Sequence, residues 1–402
     1  MHLAIIGDRG IPARYSGFST LVEELSVRLV QDHGCRVTVY SRKPYFESHP
    51  PAHRGVELVW HPAPGGKSFE SVLHTTRAVW HASRRGCYDL VFIVDPGNGP
   101  FCLPLKARGV PVVFHTDGLG WKRTKWNRLQ RAYYKWSERA TARLGDWLVT
   151  DSRAMVRYYQ DAYKVPCSFI PYGSIVGAPP DARVLAEHGL EPGGYYLLVA
   201  RMEPENNSLL IMREFKRTRT RKPLVVVGSV PYASAYARQV MAESDERVRA
   251  IGSIYDSSRL NALWANCYAY LHGHEVGDTN PSLLRAMGTG AACIPLEVPF
   301  NREVVGPLPP GFGHEPGSLC RLIDAIDQDP AHVRRLGDAA RQRAAEAYRW
   351  DAVAAGYAAM FRAVLAERTG SLRRADLAAT EFYRPGQFAG REDWLVESTG
   401  RA

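Results

Sequence analysis

The sequence predicts an α/β fold built as two doubly wound parallel sheets in tandem. Three observations carry this. Short apolar runs of strand length alternate with helical stretches from residue 1 to about 175. The alternation breaks over two loop compositions, Gly177-Ala178-Pro179-Pro180 and Glu191-Pro192-Gly193-Gly194. A second alternating series then runs from 195 to about 350. The strand segments are apolar throughout more often than they alternate, which is the pattern of a sheet covered on both faces.

Each element follows in order. Leu3-Ala4-Ile5-Ile6 is a short strand that stops at Gly7, and a helix is expected over 19–31, with Leu21, Val22, Leu25, Leu29 and Val30 on one stripe. Further strands are expected at 36–40, 56–60, 90–94, 110–114, 146–150 and 168–170. In the second series they fall at 195–199, 224–227, 248–251, 269–271 and 292–295. Helices from about 330 to 366 complete the ordered region. The expected division is 1–175 and 195–350 as two Rossmann-like domains, 176–194 as linker, 351–368 as a last helix and 369–402 as a tail. Open parallel sheets bind ligands beyond the carboxyl ends of their strands, so the two strand-end rims are expected to border a central cleft.

Composition narrows the class. The 402 residues hold 51 Lys+Arg against 41 Asp+Glu, a net charge of +10, with 45% apolar and 23% charged residues. That excludes disorder, collagen and coiled coil as the main state. Seven scattered cysteines without a Cys-x-x-Cys argue for reduced thiols rather than disulfides or zinc. No apolar run reaches the roughly 18 residues of a spanning helix, and the N-terminus reads as a buried strand rather than a signal peptide. A cytoplasmic protein is expected. The charge is uneven: 121–164 carries eleven Lys+Arg against four acidic residues, interleaved with Trp121, Trp126, Tyr133, Tyr134, Trp136, Trp147, Tyr158 and Tyr159. Such a segment suits an anionic membrane surface or a phosphorylated ligand, or is a solvated helix face with its aromatics in the core. No nucleic-acid motif accompanies it.

Four constellations carry candidate chemistry. After the first strand comes Gly7-Asp8-Arg9-Gly10, then Gly17 just before a helix. These glycines allow close backbone approach, although the spacing is not a dinucleotide fingerprint. After the strand near 114 comes His115-Thr116-Asp117, whose polar side chains either face a cleft or cap the next helix. After the strand at 195–199, Arg201 precedes Glu203, Glu205, Asn206 and Asn207. Its fork either binds phosphate oxygens or pairs with one of the two glutamates. The fourth runs through Gly277, Asp278, Thr279, Asn280, Pro281, Ser282 and Arg285. Asn280 suits a helix N-cap and Pro281 the first helical position. The helix end behind them is an anion site or simply a well-capped terminus, and Arg285 adds charge or points at solvent. Asn301 and Glu303 are expected to line the same cleft. No Asp-x-Asp closes a strand; Asp329 before Pro330 reads as an N-cap, so no metal is implied.

These residues resemble glycosyltransferases of the GT-B fold, in the family 4-like group that includes bacterial polysaccharide rhamnosyltransferases. The resemblance rests on 7–20, Asp117-Gly118-Leu119 with Trp121-Lys122-Arg123 and Lys125-Trp126, Asp151-Ser152, Pro171-Tyr172-Gly173, Arg201 to Asn207, Gly277 to Met287, Pro299 to Val304 and Trp350-Asp351. It spans roughly 1–365. It implies an N-terminal acceptor domain, a C-terminal nucleotide-sugar domain, a final helix crossing back, and transfer with retention and without a metal or other cofactor. It places Gly10 and Gly17 near the diphosphate and acceptor, His115 or Asp117 near the reacting sugar, and Arg201 with the Asn280–Leu283 N–H groups on the diphosphate. Two departures stand out. The wider family's Glu-x7-Glu falls on Gly277 and Arg285, and arginine cannot accept the ribose hydroxyls that the second Glu receives. The family's phosphate-binding Lys falls on Asn206. The expected function is transfer of a hexose or deoxyhexose, with rhamnose one candidate, to a glycan, lipid-linked saccharide or small molecule. The alternatives are a specialised-metabolite transferase with a soluble aglycone and a non-catalytic GT-B binding protein. No nucleic-acid partner is expected.

Overall fold

The computed structural model describes residues 1–13, 17–64, 66–116, 118–122, 126–175, 183–230, 234–276 and 279–383. The chain forms two units, one of residues 1–172 together with the helices after 349, the other of residues 173–349.

The first unit is built on eight strands: β1 His2–Ile6, β2 Arg36–Arg42, β3 Ala52–His53, β4 Val56–His61, β5 Leu90–Val94, β6 Val112–His115, β7 Trp147–Thr150 and β8 Cys167–Phe169. Their order is β3-β4-β2-β1-β5-β6-β7-β8. All neighbours are parallel except β3 and β4. The short β3 hairpin edge is the one strand absent from the sequence expectation: two residues carry no periodicity to read.

β1 and β5 are buried along their whole length, which is why they read as unbroken apolar runs. Helix Gly17–Gln31 buries Leu21, Val22, Leu25 and Leu29. Helix Trp350–Arg368 belongs to this first unit although the chain has by then traversed the second. It buries Val353, Tyr357, Phe361 and Val364, with the Tyr357 and Phe361 rings 5.7 and 5.3 Å from Phe92 of β5.

The second unit has five parallel strands: β9 Tyr196–Val199, β10 Leu224–Val227, β11 Val248–Gly252, β12 Ala269–His272 and β13 Cys293–Pro295. Their order is β11-β10-β9-β12-β13. Tyr196, Leu198, Phe215, Leu224 and Leu271 belong to its core.

Strand order reverses between β1 and β5 in the first sheet and between β9 and β12 in the second. The loops leaving such a pair diverge, which opens a crevice at the strand carboxyl ends. The turns after β1, β9 and β12 are three of the four sequence constellations.

Candidate functional site

At the first switch point the turn after β1 is held on all sides. Gly7 has φ +114°, and a Cβ there would lie 2.4 Å from the Val94 carbonyl oxygen. Gly10 has φ +115°, and a Cβ there would meet Ser41 Oγ at 2.3 Å. Glycine at 10 is thus required by the close approach of β2, whatever ligand lies beyond. Buried Asp8 accepts from the Gly10 N–H at 3.1 Å and from Ser19 Oγ at 2.7 Å, tying the turn to the following helix. Gly17 is the first residue of that helix. Tyr15 and Ser16 lie outside the described residues.

Sequence reading missed Arg42. Its buried guanidinium donates to the Gly7 carbonyl at 3.1 Å, Ser71 Oγ at 2.9 Å and Glu70 Oε1 at 3.0 Å. It therefore joins the β1 turn to helix Gly66–Arg85. Also missed was the opposite wall, the turn after β5. Asp95 (φ +72°) accepts from the Gly97 N–H at 2.7 Å. Asn98 donates to the Val94 carbonyl at 2.8 Å, and the Pro96 carbonyl accepts from Ser137 and Thr141 at 2.8 and 2.9 Å. The Asp95-Pro96-Gly97-Asn98-Gly99 run directly after an apolar strand was the available signal.

His115 ends β6 and is fully buried rather than open to a cleft. Its ring stacks on Tyr172 at 5.8 Å and meets the edges of Phe18 at 5.5 Å and Phe92 at 6.3 Å. Thr116 donates to the Val149 carbonyl. Asp117 lies outside the described residues, so the pairing of His115 with Asp117 on one face is untouched by the structure.

The second switch point is built differently. Arg201 follows β9 and is half-buried. Among the described residues its guanidinium has no hydrogen-bond or ion-pair partner, so pairing with Glu203 or Glu205 is not what the structure shows. The segment carrying it is tied down by hydrogen bonds. Buried Asn206 donates from Nδ2 to the Arg201 carbonyl at 2.8 Å, leaving its Oδ1 as acceptor for His274 Nδ1 at 2.7 Å. That bond assigns the proton to Nδ1 of His274. Asn207 (φ +53°) donates to the Gly273 carbonyl at 2.9 Å and to Glu275 at 3.0 Å, and the Glu275 N–H returns to the Glu205 carbonyl. Asn206 and Asn207 were expected on the donor; their amides instead join the loop after β9 to the loop after β12.

Asn280 is the N-cap of helix Pro281–Thr289 and accepts from the Ser282 N–H at 2.9 Å. Pro281 has no N–H, so the helix-end donors left are those of Asn280 and Leu283 rather than the whole expected set. Thr279 is buried beside this cap and Ser282 half-buried within its first turn. Leu283, Leu284 and Met287 bury the helix. Arg285 does not project into solvent: it is half-buried, with its guanidinium carbon 5.8 Å from the buried Trp264 ring. Gly277 and Asp278 lie outside the described residues.

Asn301 was expected to line the cleft. It is a buried brace, donating to the His274 carbonyl at 2.8 Å and the Leu296 carbonyl at 3.0 Å. Through its backbone carbonyl Glu303 accepts from Arg343 at 2.9 Å. Beneath these loops His272 is fully enclosed, and burial pushes its imidazole down to about 3. Among the described residues no group of three or more His, Cys, Asp or Glu could hold a metal ion.

Residues 16–173 match the family described as Glycosyl transferase 4-like domain. That stretch is under half of the chain, and what the chain as a whole shares with solved structures is the GT-B fold. No curated protein matches the sequence. Among solved structures it is similar to sucrose-phosphate synthase from Thermosynechococcus elongatus, with 19% identity over 91% of this chain and 99% of that one and a TM-score of 0.78. It is similar to Anabaena HepE in complex with UDP-glucose, with 13% identity, 92% and 100% coverage and a TM-score of 0.69. WaaG, a glycosyltransferase involved in lipopolysaccharide biosynthesis, matches at 14% identity, 89% and 98% coverage and a TM-score of 0.65. At these identities the likeness establishes the fold.

Proposed function

We propose that this protein is a glycosyltransferase that moves a hexose or deoxyhexose, with rhamnose one candidate, from a nucleotide diphosphate sugar to a glycan or lipid-linked saccharide, with retention and without a metal. The observation that carries the donor part is Arg201: a half-buried cation without a protein partner among the described residues, at the β9–β12 switch point, on a loop braced by Asn206 and Asn207. A guanidinium fork there, with the N–H groups of the Pro281–Thr289 helix start, suits two phosphate oxygens. The complex of HepE with UDP-glucose supports a nucleotide-sugar donor.

In this reading the sugar's anomeric carbon loses its bond to the phosphate oxygen and gains one to the acceptor oxygen on the same face. The departing phosphate takes the acceptor's proton, and Arg201 stabilises its growing charge. The family resemblance assigns the acceptor and reacting sugar to the loops that carry Gly10, Gly17 and His115-Thr116-Asp117; His115 is itself enclosed, so its part there is to hold the end of β6 in place. We place the enzyme in the cytoplasm, peripheral on the inner face of the membrane.

A panel of UDP, GDP and dTDP forms in thermal-shift assays without added metal tests the donor. Stabilisation by one base series supports the reading; stabilisation by none contradicts it. A second reading, a non-catalytic GT-B binding protein, is favoured by Arg285 packed on Trp264 where the family pattern has a ribose-accepting Glu. Arg285→Glu separates the two. A gain in turnover or donor affinity marks the wild type as impaired, whereas loss of both gives Arg285 a donor role.

A further inference from the structure

Three helices of the first unit lie on one side of its sheet: Gly66–Arg85 between β4 and β5, Leu103–Ala107 between β5 and β6, and Arg128–Leu144 between β6 and β7. Each connection runs from a parallel strand toward the same edge of the sheet, and right-handed crossovers of that kind place their helices on a common face. The helices form a continuous layer. The first packs on the second and on the turn Pro96–Cys102, which the third covers.

The outer surface of this layer is unusual in two respects. It exposes large apolar side chains from all three helices: Trp80 at 53%, Leu103 at 54%, Leu129 at 80% and Trp136 at 55%. Among the described residues these three helices also present no free carboxylate on it; exposed Asp161 belongs to the next helix on that face, Arg153–Tyr163. The three helices contain just two acidic residues, Glu70 and Glu138. Glu70 is held by Arg42 and Tyr45, and Glu138 is buried with Lys135 and Tyr158 at 3.0 and 2.6 Å. Meanwhile Arg128, Arg131, Arg139 and Arg143 are all exposed. The Arg84 guanidinium lies over the Trp80 ring at 4.5 Å, an arrangement that keeps a cation at the level of an interfacial indole.

We infer that this layer is a membrane-docking face, with Trp80, Leu103, Leu129 and Trp136 entering the headgroup region of an anionic bilayer and the arginines binding its phosphates. Aromatic and leucine side chains ringed by cations, with anionic side chains withdrawn, are the chemistry of an interfacial helix face. A nucleic acid would engage the same arginines but gives Leu129 and Leu103 nothing to bury against. The inference deepens the membrane-surface part of the proposed function. It moves the face beyond residues 121–164 to include helix Gly66–Arg85, and it sends Trp147 and Tyr159 of that segment to the core.

The test is flotation of the full chain with phosphatidylcholine vesicles, alone or with phosphatidylglycerol, at low and high salt. The face predicts binding to the phosphatidylglycerol vesicles that fades with salt and falls at least about tenfold in Trp80→Glu/Trp136→Glu with unchanged melting. Leu129→Glu, at the most exposed of the four positions, serves as a second variant if the double one melts early. Absence of flotation, equal binding to neutral vesicles, wild-type binding by the variants, or displacement of vesicles by a DNA or RNA oligonucleotide overturns the proposal. Failure here leaves the nucleotide panel standing, and failure of the panel leaves this face standing, because the two assays share no residue.

Discussion

The two switch points make an instructive pair. Both lie where strand order reverses, and both are built from a strand-end turn rich in Gly, Asn and charged residues. At the β1–β5 point the buried cation is internal: Arg42 holds a carbonyl, a hydroxyl and a carboxylate of its own unit, and the neighbouring glycines are packed against β2 and β5. At the β9–β12 point the loop is just as firmly knitted, by Asn206, Asn207 and Asn301, yet its arginine is left without a protein partner among the described residues. The same residue type thus has two roles. Arg42 is part of the scaffold, whereas Arg201 is the cation that the proposed function assigns to the donor.

Removing the scaffold cation should have the largest effect. Arg42→Ala leaves Glu70 and the Gly7 carbonyl without their donor, and loss of about 3–5 kcal/mol is expected. Chemical denaturation followed by tryptophan emission checks this. A change under about 1 kcal/mol would dissolve the contrast between the two sites.

Next comes the response to acid, which should appear in both units. His74, packed near Arg42, and His272, beneath the Asn301 brace, are each pushed by burial down to about 3. A histidine kept neutral in the fold but free to protonate when unfolded contributes stability above an unfolded value of about 6.5. That stability falls by about 1.4 kcal/mol per pH unit as pH drops toward the folded value. Denaturation from about pH 6 to about pH 4 should be steeper for the wild type than for His74→Leu by that amount. Equal slopes would show that His74 is not held neutral.

The smallest effect concerns the loop brace. Asn207→Ala loses two hydrogen bonds and replaces a residue that tolerates the left-handed region with one that tolerates it less, for about 1–2 kcal/mol. Asn207→Gly keeps the backbone geometry accessible and should be the less destabilised of the two. The reverse order in melting experiments would remove the backbone part of the explanation.

Much of the fold was legible because β1, β5, β9 and β12 are apolar runs that stop at turn residues, and the period of a buried strand is read directly from such runs. The capped start of helix Pro281–Thr289 was equally plain from Asn280-Pro281. What sequence could not supply was pairing across distance. Arg42 meets Gly7, Glu70 and Ser71 from three separate segments, and nothing local marks it as different from the other arginines. His115 was expected either to face a cleft or to cap the next helix, but Phe18, Phe92 and Tyr172 close around it, each from a different part of the chain. Asn206 and Asn207 looked like ligand residues because they sit beside Arg201, while their true partners lie some 70 residues away in the loop after β12. Composition likewise flagged the basic-aromatic segment without saying that Trp147 turns inward and Trp136 outward.

The contrast between the two arginines is tested most directly by titrating the nucleotide series that stabilises the protein into wild type and Arg201→Ala by calorimetry. The account predicts an affinity lower by about 10–150-fold, the scale of a charged hydrogen bond of about 1.5–3 kcal/mol, with stability unchanged within about 0.5 kcal/mol. Unchanged affinity, or a loss of stability approaching that of Arg42→Ala, would contradict it and make Arg201 a second scaffold residue.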